Sequence, residues 1–126
     1  NIHTRSHLLR AGQESIVFAL QYGVEIMREI GMSVDTVKAG KANMFLSPLF
    51  RQTFATVTGA TVELYNTDGA VGAARGAGVG AGIYNSFAEA FSHLRCEEVV
   101  VPDSSLAGVY ADLYAAWKTR LIEILR

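Results

Sequence analysis

The chain has 126 residues, with 11 Lys+Arg against 12 Asp+Glu and a formal net charge of -1. That is one domain's worth of length, and the balanced charge removes the electrostatic case for a nucleic-acid partner. A single cysteine, Cys96, excludes an internal disulfide framework or a several-cysteine zinc site, and no apolar run spans a membrane or reads as a leader, so the expectation is a cytoplasmic protein.

Thr4 or Ser6 caps a first helix that runs to about Ile30 and stops at Gly31. Leu9, Ile16, Leu20, Gly23, Met27 and Ile30 share one face of it. Val34 to Gly40 reads as a short strand, followed by a tight loop over Gly40-Lys41-Ala42-Asn43. Ser47-Pro48 starts the next helix, with Ser as cap and Pro at the first helical position. Phe50, Thr53, Phe54 and Val57 form its apolar face, and Gly59 ends it.

Thr61 to Tyr65 is a second strand, and Thr67 or Asp68 caps a helix over about Ala70 to Tyr84. Gly72, Gly76 and Gly80 recur every four residues along that helix, as do Ala73, Ala77 and Ala81. Each interior glycine weakens a helix by about 1 kcal/mol relative to Ala, so the strip implies close packing. Internal packing is the expectation, with a homodimer across the strip as the alternative. Ser86 to Leu94 is a short helix, and Val99 to Val101 is extended and closed by Pro102. Ser104 or Ser105 caps a last helix to Arg126, with Leu106, Val109, Leu113, Trp117, Leu121 and Ile124 as its apolar face.

Strands alternating with helices imply an α/β fold of parallel βαβ units with a C-terminal helix. Two or three strands make a thin sheet, and parallel sheets are normally covered on both faces. Charged residues are only 18% of the chain and hydrophobic residues 50%, the reverse of what a small free-standing domain needs. The chain also opens at Asn1 without Met. Together these imply a piece of a larger protein, with part of its apolar surface covered by the remainder.

Several motifs resolve into structure rather than chemistry. Gly40-Lys41 fails as a Walker A loop: Asp35 stands where the first glycine belongs and Ala42 where Ser or Thr belongs. Gly76-Ala77-Gly78-Val79-Gly80-Ala81 approaches a dinucleotide fingerprint but lies deep in a helix, which argues against a Rossmann domain. His3 and His7 are four apart with no third ligand in view, Cys96 has no base partner, and Glu97-Glu98 reads as a solvated turn; no metal site is assigned. The loop Ala39-Gly40-Lys41-Ala42-Asn43 differs. It follows a parallel strand at its C-terminal end, where open α/β sheets bind ligands. Gly40 permits close backbone approach, and Asn43 carries a donor and an acceptor suited to a ribose or base edge. A plain strand-to-helix turn accounts for the same spacing.

Arg10-Ala11, Glu14-Ser15-Ile16 and Phe18 resemble the run that opens a helix in the C-terminal domain of FGGY carbohydrate kinases. Lys38 to Leu46 resembles that family's Gly-Gly-Ala-x-Ala-Asn-Asn-Phe-Leu loop, with Lys38-Ala39 in place of the glycine pair. Phe50-Arg51-Gln52, Val57 to Val62, Asp68 to Ala74, Val101-Pro102-Asp103 and the Tyr110, Tyr114, Trp117 helix follow in family order, with wording most similar to the xylulokinase branch. The resemblance implies a ribonuclease-H-like, actin-type ATPase domain, with residues 1–126 as the C-terminal part of its second copy. It implies ATP with Mg2+ as cofactors and phosphorylation of a ketopentose, D-xylulose. It places Ala42 and Asn43 beside the adenosine, with Ala39, Gly40 and Lys41 completing the nucleotide loop and Gly40 taking the close approach to phosphate. The catalytic aspartate and the sugar-binding residues are expected upstream, so no catalytic residue is assigned and the fragment alone is expected to be inactive. A non-catalytic actin-like module that binds nucleotide or a partner is the alternative.

Overall fold

The computed structural model describes residues 2–126, an α/β arrangement of a three-stranded mixed sheet with helices packed on one face. Helix α1 (Arg5–Glu29) begins after Thr4, whose backbone N–H donates to the imidazole Nδ1 of His7 at 3.2 Å. It ends at Gly31, where φ is +87°. Strand β1 (Thr36–Gly40) then leads through a 3-10 turn at Asn43–Leu46 into α2 (Pro48–Thr58). Ser47 Oγ accepts from Phe50 N–H at 3.3 Å, and Gly59 closes α2 at φ +68°. Strand β2 (Thr61–Tyr65) pairs parallel with β1, Thr36 opposite Thr61 and Gly40 opposite Tyr65.

Helix α3 (Gly69–Gly80) is capped by the Asp68 carboxylate, which accepts from Val71 N–H at 2.8 Å. A short helix α4 (Phe87–Ala90) precedes β3 (Cys96–Val100) and the closing helix α5 (Ala107–Ile124). The expectation of purely parallel βαβ units is corrected at β3, which runs antiparallel beside β2 in the order β1-β2-β3. The short turns on either side of α4 return the chain along the sheet edge in the opposite sense. Helix α3 also stops four residues before Tyr84, because Gly82 at φ +74° breaks it. The cap of α5 is Leu106, with no side-chain bond; Asp103 organises the preceding turn by accepting from Ser105 N–H at 2.9 Å and Ser105 Oγ at 2.6 Å.

The core lies between the sheet and α1 and α2. Phe50, Leu64, Val17 and Val62 are its largest fully buried side chains. Phe18, Tyr110 and Tyr114 form a second cluster that joins α1 to α5. Tyr110 Oη ties the helices further, donating to Glu14 Oε1 at 3.1 Å and accepting from Arg10 Nη2 at 3.1 Å. The apolar faces read for the two long helices are corrected here. Val17, Phe18, Gln21 and Val24 are the buried residues of α1, whereas Leu9, Ile16, Leu20, Met27 and Ile30 are exposed. On α5 the core contact is Tyr110 and Tyr114, with Trp117 half-buried; Leu106, Val109, Leu113 and Ile124 are exposed. Internal packing of the glycine strip is also corrected. A Cβ at Gly72, Gly76 or Gly80 would meet nothing within 4 Å, and of the α3 glycines only Gly78 packs closely, under the Tyr84 ring. Among the described residues, no helix is long and apolar enough to cross a membrane.

Candidate functional site

The sheet's β1 and β2 strands end side by side, and their following loops cross at Gly40. A Cβ there would sit 2.3 Å from the Thr67 carbonyl oxygen and 3.1 Å from Asp68 Cα. Glycine at this position therefore lets the two loops touch backbone to backbone. Lys41 N–H donates to Tyr65 C=O at 2.8 Å, and Ala42 N–H turns back to Gly40 C=O at 2.8 Å. Asn43 follows at φ +51°, the only left-handed non-glycine backbone among the described residues, a conformation that asparagine tolerates better than most.

These turns form a concavity of about 310 Å³. Ala39, Gly40, Ala42 and Asn43 line it, with Phe45 and Phe50 from the following turn and helix. Ile16 and Leu20 of α1 form another wall, and Asp68 and Gly69 at the start of α3 complete the rim. A second hollow of about 250 Å³ lies across the loop, between Lys38, Tyr65, Thr67 and Leu94. The site is thus mostly apolar, with the exposed Asn43 amide as the polar group of the loop and the Asp68 carboxylate turned to its own helix.

Of the five loop residues singled out in the sequence, four meet in this concavity. Lys41 does not line it. Its ammonium lies 3.4 Å from Glu98 and 3.8 Å from Glu97. Glu97-Glu98 is accordingly corrected from a solvated turn to part of β3: Glu98 also pairs with Arg51 at 2.9 Å. Arg51 in turn donates to the carbonyls of Phe45 and Leu46 at 3.2 and 3.3 Å, which fixes the 3-10 turn behind Asn43. Ile16, Leu20, Asp68 and Gly69 were not assigned to the site, because they come from elements remote in sequence. His3 and His7 stack edge to face at 6.1 Å between ring centroids, and Cys96 is exposed on β3. No group of three or more metal-ligating residues occurs among the described residues.

No family model matches the chain. It is 35% identical over 122 residues to the L-xylulose/3-keto-L-gulonate kinase of Escherichia coli K12, and 33% identical over 121 residues to the xylulose kinase of Bacillus subtilis 168. These alignments cover 93% and 92% of this chain but 24% of each relative, so the chain spans about a quarter of their length. The crystal structure of xylulose kinase from Rhodospirillum rubrum matches with a TM-score of 0.77 at 28% identity, over 98% of this chain and 25% of that one. The ligand-bound xylulose kinase from Lactobacillus acidophilus matches with a TM-score of 0.78 at 17% identity, over 98% of this chain and 26% of that one. The fold is that of the actin-type ATPases.

Proposed function

From its kinship with the FGGY-type carbohydrate kinases, to which the chain is related over nearly its whole length, we propose that it forms the nucleotide side of an ATP-dependent sugar kinase. In this reading residues 1–126 are the C-terminal part of the second kinase domain. The parent enzyme moves the γ-phosphoryl of ATP to a hydroxyl of a ketopentose, D-xylulose in the narrowest form of the proposal, in the cytoplasm. The remainder of the polypeptide supplies the catalytic base and the sugar contacts, and these 126 residues alone turn nothing over.

The observation that supports the reading is the concavity at Asn43. Its apolar walls at Ile16, Leu20, Phe45 and Phe50 suit the faces of a flat heterocycle. The Asn43 amide offers one donor pair and one acceptor to a base or ribose edge. Ala39, Gly40 and Ala42 keep the backbone free of bulk there. Mg2+ accompanying ATP would supply charge neutralisation at the phosphates, and no residue of this stretch is assigned to hold it. Phosphoryl transfer depends mainly on positioning, so this chain's role is to hold one end of the nucleotide still.

The test is Asn43→Gly in the whole gene product that contains this sequence. Glycine accepts the left-handed backbone at no steric cost, so the fold is retained while the amide is lost. Calorimetric titration should show ATP affinity weakened about tenfold or more, as expected for the loss of one or two hydrogen bonds, with an unchanged unfolding midpoint. Unchanged affinity would overturn the site. Absence of ketopentose-dependent ADP release by the unsubstituted gene product would overturn the kinase reading itself.

A further inference from the structure

Asn43 reaches the concavity with its backbone at φ +51°, a left-handed conformation that costs any residue with a Cβ. Such a backbone persists where its surroundings over-determine it. Part of that hold is local. Ala42 N–H turns back to Gly40 C=O at 2.8 Å, and Phe45 N–H donates to Ala42 C=O at 3.1 Å, so the chain closes on itself around Asn43. The rest comes from α2. Arg51 Nη1 reaches back across the 3-10 turn and donates to Phe45 C=O at 3.2 Å and to Leu46 C=O at 3.3 Å.

The guanidinium is itself anchored. Its Nη2 lies 2.9 Å from Glu98 Oε1 on β3, and the Arg51 side chain is only 15% exposed. One planar group therefore joins a carboxylate of the sheet to two carbonyls of the turn, and a lysine ammonium does not reproduce that fork. Lys41 approaches Glu98 from the other flank of Asn43 at 3.4 Å, a longer and more exposed pair. The Phe45 ring has separate support, packing edge to face on Phe50 and Phe54 with centroids 5.3 and 5.5 Å away. The hold of the fork thus falls on the turn's backbone rather than on that aromatic wall. Arg51 does not line the concavity; Asn43 does.

We propose that Arg51, anchored by Glu98, is a positioning residue for the nucleotide: it fixes the backbone from which the Asn43 amide enters the concavity and acts on ATP only through that amide. This rests on the reading of the concavity as the nucleotide site. The geometry carries it. The two carbonyls that Arg51 takes belong to the same four-residue turn that Asn43 opens, Asn43–Leu46. Releasing them frees the turn to relax its left-handed start, and the amide then has to be ordered when the nucleotide binds. Lysine at position 51 keeps the charge opposite Glu98 but loses the fork, so charge alone is not enough.

The test is a double-mutant cycle on the whole gene product, read by calorimetric titration with ATP. The variants are Arg51→Met, Asn43→Gly and the two together, with Arg51→Lys as the milder change should Arg51→Met fail to fold. Arg51→Met should weaken ATP binding about fivefold or more while Asn43 is present. In the Asn43→Gly background the same change should shift the affinity by less than about twofold, because the amide it positions is gone. Arg51→Lys should weaken ATP about threefold or more with the ion pair to Glu98 retained. Equal weakening in both backgrounds would make Arg51 a general support of the fold and overturn the proposal. Unsubstituted affinity in Arg51→Lys would overturn the fork. Weakened binding in Asn43→Gly beside unchanged binding in Arg51→Met would overturn the positioning role and leave the nucleotide site standing. Unchanged binding in Asn43→Gly would overturn the site, and the proposal with it.

Discussion

Alanine at Gly40 should destabilise the protein by about 1–2 kcal/mol, and the figure follows from one crossing of two loops. The added Cβ lands 2.3 Å from the Thr67 carbonyl oxygen and 3.0 Å from its carbonyl carbon. Ordinary van der Waals contact lies roughly 1 Å farther out. Both sides of the clash are backbone, and neither gives easily. Thr67 N–H is bonded to Tyr65 C=O at 2.7 Å, and Asp68 caps α3. Forcing a methyl into such a contact costs typically ~1–3 kcal/mol. The lower unfolded-chain entropy of alanine returns only about 0.4–1 kcal/mol of it. Gly76→Ala is the internal control, because its Cβ meets nothing within 4 Å in the middle of α3 and should stabilise the helix by up to about 1 kcal/mol. The assay is denaturant unfolding of the whole gene product, with exchange of the Lys41 amide reporting on the crossing itself. A Gly40→Ala midpoint equal to or above that of the unsubstituted protein would refute the close approach. The same geometry means that a Gly40 variant losing ATP would report on the fold first, so nucleotide contact has to be probed at Asn43.

Ser47→Ala removes the α2 cap and the hydroxyl that donates to Gln13 Oε1 at 3.0 Å; a loss of about 1 kcal/mol in denaturant unfolding is expected. Lys41→Ala should leave ATP affinity within about twofold by titration, since the ammonium is directed to Glu97 and Glu98 and not to the concavity. Glu25 supplies the pH dependence. Burial opposes its ionised form, but hydrogen bonds from Lys118 Nζ at 2.6 Å and Tyr114 Oη at 2.8 Å outweigh that and hold its pKa below the ordinary 4.5. A depressed folded pKa contributes stability that is full above 4.5 and is lost as pH falls through the lower folded value. Glu25→Gln should therefore be less stable at neutral pH and show a flatter acid limb when unfolding midpoints are measured against pH.

Elements bracketed by local chemistry were legible in the sequence. Strand β2 is read to the residue as Thr61–Tyr65, since branched residues sit between Gly59 and the Asn66-Thr67-Asp68-Gly69 turn. Helix α2 starts at Ser47-Pro48 and ends at Gly59, as its cap and stop residues require. The direction of β3 was not legible, because it depends on where the turns around α4 deliver the chain. The 3-10 turn at Asn43–Leu46 was also missed; its hold comes from Arg51, whose bonds to the Phe45 and Leu46 carbonyls no local pattern announces. At the candidate site, Gly40, Ala42 and Asn43 stood out as residues after a strand. Ile16, Leu20 and Asp68 did not, because only the packing of α1 and α3 beside the loop brings them there.

The reading of helix faces failed for a reason that itself carries information. Periodicity reports that a helix has an apolar row; it does not say which neighbour the row meets. Helix α1 has two such rows. Val17 and Phe18 join the two core clusters, whereas Leu20 and Met27 line a groove with Val24, Val34, Val37 and Phe54, and Ile16 faces the loop concavity. Helix α5 repeats the pattern, with Tyr110 and Tyr114 inside and Val109 and Leu113 outside. Single exposed hydrophobic residues are ordinary on any surface, but a continuous row beside an unpaired strand is not. The apolar excess of the chain is spread over several surfaces, since Ile83, Phe87, Val99, Val101, Val109 and Leu113 are exposed as well as Ile16, Leu20 and Met27.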